Sequence, residues 1–301
     1  MDKEQAFVSA VVYSYNDGRA LSAFVKKLYW QLALKFEQYE IIVVDDFSTD
    51  DSIRQLREES TELEKPLTVI RMSLHQGREP AMNAGLDAAI GDYIYQFENA
   101  DENLDEELIS QAFDQMAGEY DIVSVAPAEN PFSSRLFYRL FNKSTSGSAE
   151  IGSELFSVVT RRAVNRAHAS HEYLPYRKSA FAASGLSYKR LQTGSPYEKS
   201  HRTKRTTALE SLLLYTTMGY RISMGITTTM LLLALAELVY IVVVFCLGIP
   251  IEGWTTLALF VTIGFVGLFL IMSMIIKYLS LILQLLFQKQ RYYISSVDRI
   301  K

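Results

Sequence analysis

In the first half of the chain, short continuous apolar blocks alternate with stretches whose apolar residues recur every three or four positions. Phe7–Tyr15, FVSAVVYSY, is rich in β-branched and aromatic residues and runs into the turn signal Asn16-Asp17-Gly18, so it predicts a buried strand. From Ala20 to Phe36, Leu21, Phe24, Val25, Leu28 and Leu32 share one helical face. Tyr39–Val44 reads as a second buried strand closed by Asp45-Asp46, and Ser48 or Thr49 is placed to cap a helix reaching about Glu59. Leu67–Met72 is a third strand. Gln76-Gly77-Arg78 then turns into a helix carrying Met82, Leu86 and Ala89, which Gly91 ends. Tyr93–Phe97, a helix over Asp105–Met116 and the strand Ile122–Val125 complete the series. Alternation at this spacing predicts an α/β fold with a mostly parallel, doubly wound sheet.

The pattern then loosens. Ser133–Asn142, SSRLFYRLFN, sets Arg135 and Arg139 against an aromatic face, as expected of a helix lying at a membrane surface. A polar loop over Lys143–Ile151, a strand over Leu155–Thr160, a helix over Arg161–Ala169 and a strand over Tyr188–Leu191 follow, and Gln192–Thr207 is a polar and basic loop. Ile222–Ile249 and Trp254–Ile276 are each long enough to cross a hydrocarbon core of about 30 Å. These patterns divide the chain into a domain over residues 1–206, an interfacial helix over 207–221, a transmembrane hairpin over 222–276 and an amphipathic tail over 277–301.

Charge sets the orientation. Arg202, Lys204, Arg205 and Arg221 precede the first span and Lys277, Lys289, Arg291, Arg299 and Lys301 follow the second, whereas the connection carries only Glu252. Both termini and the large domain are therefore expected on the cytoplasmic face of the inner membrane. The net charge of -4 gives no global signal for nucleic acid. The N-terminus lacks an apolar signal region. Cys246, the single cysteine, excludes an internal disulfide. Glu237, near the middle of the first span, is expected to be protonated or paired across a helix interface, because an ionised side chain is costly there.

Candidate chemistry gathers where strands end in polar residues, the usual ligand edge of an open α/β sheet. The fourth strand stops at Glu98-Asn99-Ala100-Asp101, an acidic rim placed where such sheets hold a ligand. Arg78 begins a helix and suits an anionic ligand there. No Gly-rich dinucleotide fingerprint follows the first strand.

VVYSYND, EIIVVDDFSTDDS, HQGREPAMNAGLDAAIGDY and the acidic strand end, in that order and spacing, resemble family 2 glycosyltransferases of the GT-A fold. SSRLFYRLFN and the two closing spans narrow the resemblance to the polyprenyl-phosphate type, the bactoprenol glucosyltransferase and dolichol-phosphate mannose synthase group. The resemblance covers nearly the whole chain and implies a nucleotide-sugar pocket built from Tyr13, Ser14, Tyr15, Asp17, Asp46, Arg78 and Glu98, with Asp46 accepting from a uracil-type base. It implies Mg²⁺ or Mn²⁺ at Glu98 and Asp101, an acceptor phosphate at Ser134, Arg135 and Arg139, and closure by the basic cluster His201, Arg202, Lys204 and Arg205. Phe47 stands where relatives carry glycine, Tyr13 where they often carry proline, and Ala100 where they place a second acid. Leu155 occupies the place of the relatives' catalytic aspartate, leaving the adjacent Glu154 as candidate base.

The expected activity is inverting transfer of a sugar, UDP-linked, to polyprenyl (undecaprenyl) phosphate on the cytoplasmic leaflet. Such a phosphate, with a second pKa of about 6, is already largely ionised at neutral pH and needs no strong base. Two alternatives remain open: transfer to a lipid-linked saccharide in polysaccharide assembly, which would require a base, and a non-catalytic nucleotide-binding scaffold. A homo-oligomer and a flippase are the further partners considered.

Overall fold

The structure is a computed structural model that describes residues 3–101, 104–116, 119–127, 138, 142, 152–170, 177–193, 218–247, 253–287 and 292–300. The chain forms two compact units, one of Met1–Lys204 with Phe287–Lys301 and one of Arg205–Leu286.

The first unit is built on an eight-stranded sheet. Its strands are β1 (Glu4–Ser14), β2 (Phe36–Asp45), β3 (Leu67–Met72), β4 (Tyr93–Phe97), β5 (Ile122–Ala126), β6 (Phe156–Thr160), β7 (Tyr188–Gln192) and β8 (Ile294–Ile300), in the order β7-β5-β6-β4-β1-β2-β3-β8. The centre is parallel: β1 pairs with β2 and β4, and β2 with β3. β6 runs antiparallel to β4 and β5, and β8 antiparallel to β3. Val8, Ala10, Val11, Val12, Val43 and Val44 are fully buried, as continuous apolar strands covered on both faces must be.

Among the described residues of this unit the helices are α1 (Arg19–Lys35), α2 (Ser52–Ser60), α3 (Arg78–Ala88), α4 (Glu107–Met116), α5 (Arg161–Ser170) and α6 (Arg177–Ala183). The stripe Leu21, Phe24, Val25, Leu28 and Leu32 of α1 is buried in a core shared with Phe97, Phe113 and Phe156. α3 lies on the opposite face with Met82 and Leu86 against Val11, Ile42 and Val44. Two local expectations change. Phe36 opens β2 rather than closing α1. Asp51, not Ser48 or Thr49, precedes α2, because the Ser48 hydroxyl accepts the Asn16 N–H (2.9 Å) and joins two loops instead.

The expected amphipathic tail over 277–301 is also replaced. The last helix continues to Phe287, and the closing residues pair with β3 as β8. The physical reason is that β3 would otherwise leave a row of unpaired backbone groups at the sheet edge. Ile300, 4% exposed, enters the same core as Leu67 and Val69.

The second unit contains α7 (Met218–Cys246) and α8 (Trp254–Phe287). Ser223–Cys246 and Thr256–Leu279 are long and apolar enough to cross a membrane, with mean hydropathy 2.5 and 2.6. The two helices meet through polar side chains: Ser223 and Ser273 hydroxyls lie 3.0 Å apart, Thr227 and Ser273 hydroxyls 2.8 Å apart, and Thr262 donates to Glu237. Glu237 is thus paired across the α7–α8 interface.

Candidate active site

The carboxyl ends of β1, β2 and β4 converge. After β1 the backbone turns left-handed at Asn16 (φ 54°), and the Asn16 side-chain oxygen accepts the N–H of Thr49 at 2.7 Å. Asp17 accepts the Tyr15 N–H (3.1 Å), and the Gly18 N–H donates to Ser52 (2.7 Å). Two loops are thereby laced into one rim. Phe47 holds φ 63°, so the turn keeps the left-handed backbone that glycine would adopt at little cost.

Asp46 is fully buried at the centre of this rim. Its Oδ1 accepts the Gln76 N–H (2.8 Å), and its Oδ2 accepts the Gly77 N–H (2.9 Å) and the Tyr13 hydroxyl (3.0 Å). His75 Nδ1 lies 2.9 Å from the same Oδ2, and the His75 ring stacks on Tyr15 with centroids 4.1 Å apart. Burial raises the Asp46 pKa, while the Gln76 N–H, His75, Tyr13 and the Gly77 N–H oppose that rise. Burial and the neighbouring Asp46 push the Tyr13 phenol well above its ordinary value. With its oxygens turned to protein donors, Asp46 here organises the pocket wall. Ser14 is also fully buried.

A second cluster sits at the end of β4. Glu98 Oε1 accepts from Arg177 (3.2 Å), and Oε2 from Arg78 and Lys178 (3.2 Å each). Arg78 also reaches Asn99 (3.4 Å) and lies over the Tyr13 ring at 5.8 Å, so it joins the two clusters. Lys178 approaches Glu154 at 3.6 Å, and Tyr188 donates to Glu154 at 3.2 Å. Arg177, whose side chain is 2% exposed, also meets Glu79 at 3.6 Å. A small pocket is lined by Gln96, Glu98, Glu154, Arg177, Lys178 and Tyr188 among others.

Electrostatics follow from that packing. Burial alone would raise Glu98, yet Lys178, Arg78 and Arg177 hold its pKa down at about 2. Burial raises Glu154 despite the attraction of Lys178. Burial would lower the Lys178 ammonium, but Glu154 and Glu98 keep it above its ordinary value.

The expected cation at Glu98 and Asp101 does not fit this arrangement. Both Glu98 oxygens already face cations, Asn99 and Ala100 add no carboxylate, and a divalent ion at Glu98 would sit against three positive charges. Among the described residues, no group of three or more His, Cys, Asp or Glu is placed to hold a metal ion.

The structure therefore brings together Tyr13, Tyr15, Asp17, Asp46, Arg78, Glu98 and Glu154, and adds Arg177, Lys178, Glu79 and Tyr188, which the sequence analysis did not single out. The Arg177-Lys178 pair at the head of α6 was the available signal. Ser134, Arg135, Arg139, His201, Arg202, Lys204 and Arg205 lie outside the described residues.

Residues 9–181, more than half of the chain, match Glycosyl transferase family 2. An uncharacterized glycosyltransferase of Synechocystis sp. is 24% identical over 86% of this chain and 85% of its own. Undecaprenyl-phosphate 4-deoxy-4-formamido-L-arabinose transferase of Pectobacterium carotovorum is 29% identical over 45% of this chain, a match spanning 41% of that relative's length. Among solved structures, a mannosyltransferase of Pyrobaculum calidifontis in complex with GDP-Man and Mn²⁺ superposes with TM-score 0.52 at 16% identity, covering 70% of this chain and 62% of its own. Glucosyl-3-phosphoglycerate synthase of Mycobacterium tuberculosis, in complex with Mn²⁺, UDP-Glc and phosphoglyceric acid, gives TM-score 0.51 at 13% identity, covering 69% and 78%. The rim of β1, β2 and β4 and these matches lead to one conclusion: the chain belongs to glycosyl transferase family 2 and has the GT-A fold.

Proposed function

We propose that the protein transfers a sugar from a nucleotide-linked donor, UDP-linked, to polyprenyl phosphate at the cytoplasmic face of a membrane. One observation carries this reading: the sheet of a family 2 glycosyltransferase takes its last strand, β8, from residues that follow two apolar helices of spanning length. Both ends of the helix pair thus connect to one domain, as a hairpin inserted from one face requires. Relatives named for undecaprenyl phosphate support the acceptor class.

The nucleotide lies along the rim organised by Asp46, with Tyr13 and Tyr15 offering aromatic surface to the base and Asp17 near the ribose. Arg78, the most exposed of the three cations around Glu98 at 30%, faces the diphosphate. An oxygen of the lipid phosphate attacks the anomeric carbon as the bond from that carbon to the diphosphate oxygen breaks, and the configuration inverts. Positioning and charge supply most of the rate. Ser134, Arg135 and Arg139 bind the acceptor phosphate, and the basic cluster from His201 to Arg205 closes over the anions. Glu154, occupied by Lys178 and Tyr188, is not needed as a base for a phosphate nucleophile.

The test is release of nucleoside diphosphate by the purified full chain with a panel of nucleotide sugars, with and without polyprenyl phosphate in the micelle. Release that depends on the lipid phosphate is expected. Release that requires a lipid-linked saccharide instead, and is abolished by Glu154→Gln, would favour the saccharide acceptor.

A further inference from the structure

Strand β8 covers the edge of β3 through ladder pairs from Leu67 with Ile300 to Met72 with Ile294. Protecting that edge needs nothing beyond those bonds. One residue earlier, however, the main chain of Tyr293 is held by a second set of contacts outside the ladder. Its carbonyl accepts the Ser73 N–H (3.0 Å), the Ser73 hydroxyl (3.2 Å) and Gln76 Nε2 (2.9 Å), and its N–H donates to Gln76 Oε1 (2.9 Å). Gln76 therefore uses both ends of its amide on one residue that lies 217 positions away in sequence.

The same Gln76 donates its backbone N–H to Asp46, and the next N–H, from Gly77, reaches the other Asp46 oxygen. Gly77 holds φ 94° with no side chain to fix it, so its placement depends on the contacts of its neighbours. Asp46 in turn receives the Tyr13 hydroxyl. A continuous run of hydrogen bonds thus leads from the segment after the apolar helix pair to the aromatic wall of the candidate nucleotide pocket.

We propose that Gln76 is a positioning residue that locks the main chain of Tyr293 to the nucleotide pocket, so that Tyr293, at the entry to β8, is part of the donor site and sets nucleotide affinity. The inference rests on the reading of the Asp46 rim as a nucleotide pocket. It separates β8 from a passive edge cover, because passive cover predicts an effect on stability and none on the nucleotide.

The full chain in detergent is tested by equilibrium binding of UDP and of GDP, alongside thermal unfolding. Gln76→Ala removes both amide contacts and is expected to weaken the better of the two nucleotides by about five- to tenfold, a loss that passive edge cover does not predict. Tyr293→Pro removes the backbone donor, and the double variant Gln76→Ala with Tyr293→Pro is expected to bind no more weakly than the weaker-binding single variant. Unchanged affinity in Gln76→Ala, or fully additive losses in the double variant, overturns the lock while leaving the proposed function standing. Binding of neither nucleotide by the wild-type chain overturns the pocket reading and the lock with it.

Discussion

Glu98 shows how residue neighbours decide what a carboxylate can do. Its pKa of about 2 lies below the ordinary 4.5, so it contributes stability that is full above about pH 4.5 and is lost as pH falls toward 2. Glu98→Gln removes the carboxylate charge that Arg78, Arg177 and Lys178 share and is expected to cost about 3 kcal/mol near neutral pH. In thermal unfolding series the gap between wild type and variant should narrow as pH falls below about 4.5; a gap constant down to pH about 3 contradicts the ion cluster. A divalent cation at Glu98 would have to displace the side chains of Arg78, Arg177 or Lys178 that hold both its oxygens. Replacing Mn²⁺ with a chelator should change UDP affinity by less than about twofold, whereas a loss of about tenfold, or about 1.4 kcal/mol, would show that the cations yield to a metal. Sequence reasoning found Arg78 and Glu98 because each ends or opens an element. It passed over Arg177 and Lys178 because they lie 79 and 80 positions from Glu98, with no periodicity linking them.

Elements with strong patterns were legible in the sequence. β3 and β4 have the bounds that apolar run length predicts, and α1 buries the stripe read from its spacing. β8 was not legible: ISSVDRI is short and half polar, and its partner β3 lies more than two hundred residues upstream. Gly91 illustrates how tightly the elements meet. It was read as a helix stop, yet α3 ends at Ala88, and Gly91 sits where an added Cβ would come within 2.6 Å of the Ser9 nitrogen and 2.9 Å of the Phe7 carbonyl oxygen. Backbone atoms cannot move aside as side-chain ends do. Gly91→Ala should therefore cost about 1–3 kcal/mol by spreading β1 from the start of β4, measurable as a lower midpoint of thermal unfolding. An unchanged midpoint would mean that the two strands are less closely joined.

The sheet of the first unit draws β1 to β7 from before the pair of apolar helices and β8 from after them. Two apolar helices of spanning length in the same chain are what motivate the proposed lipid acceptor. The most direct measurement is mass spectrometry of the lipid extract after the purified full chain, in liposomes containing undecaprenyl phosphate, is incubated with UDP- and GDP-linked sugars. The account predicts a new lipid heavier than undecaprenyl phosphate by one sugar residue, formed in equal amount to the released nucleoside diphosphate. Nucleoside diphosphate release without that lipid, or no reaction with any donor, would contradict it.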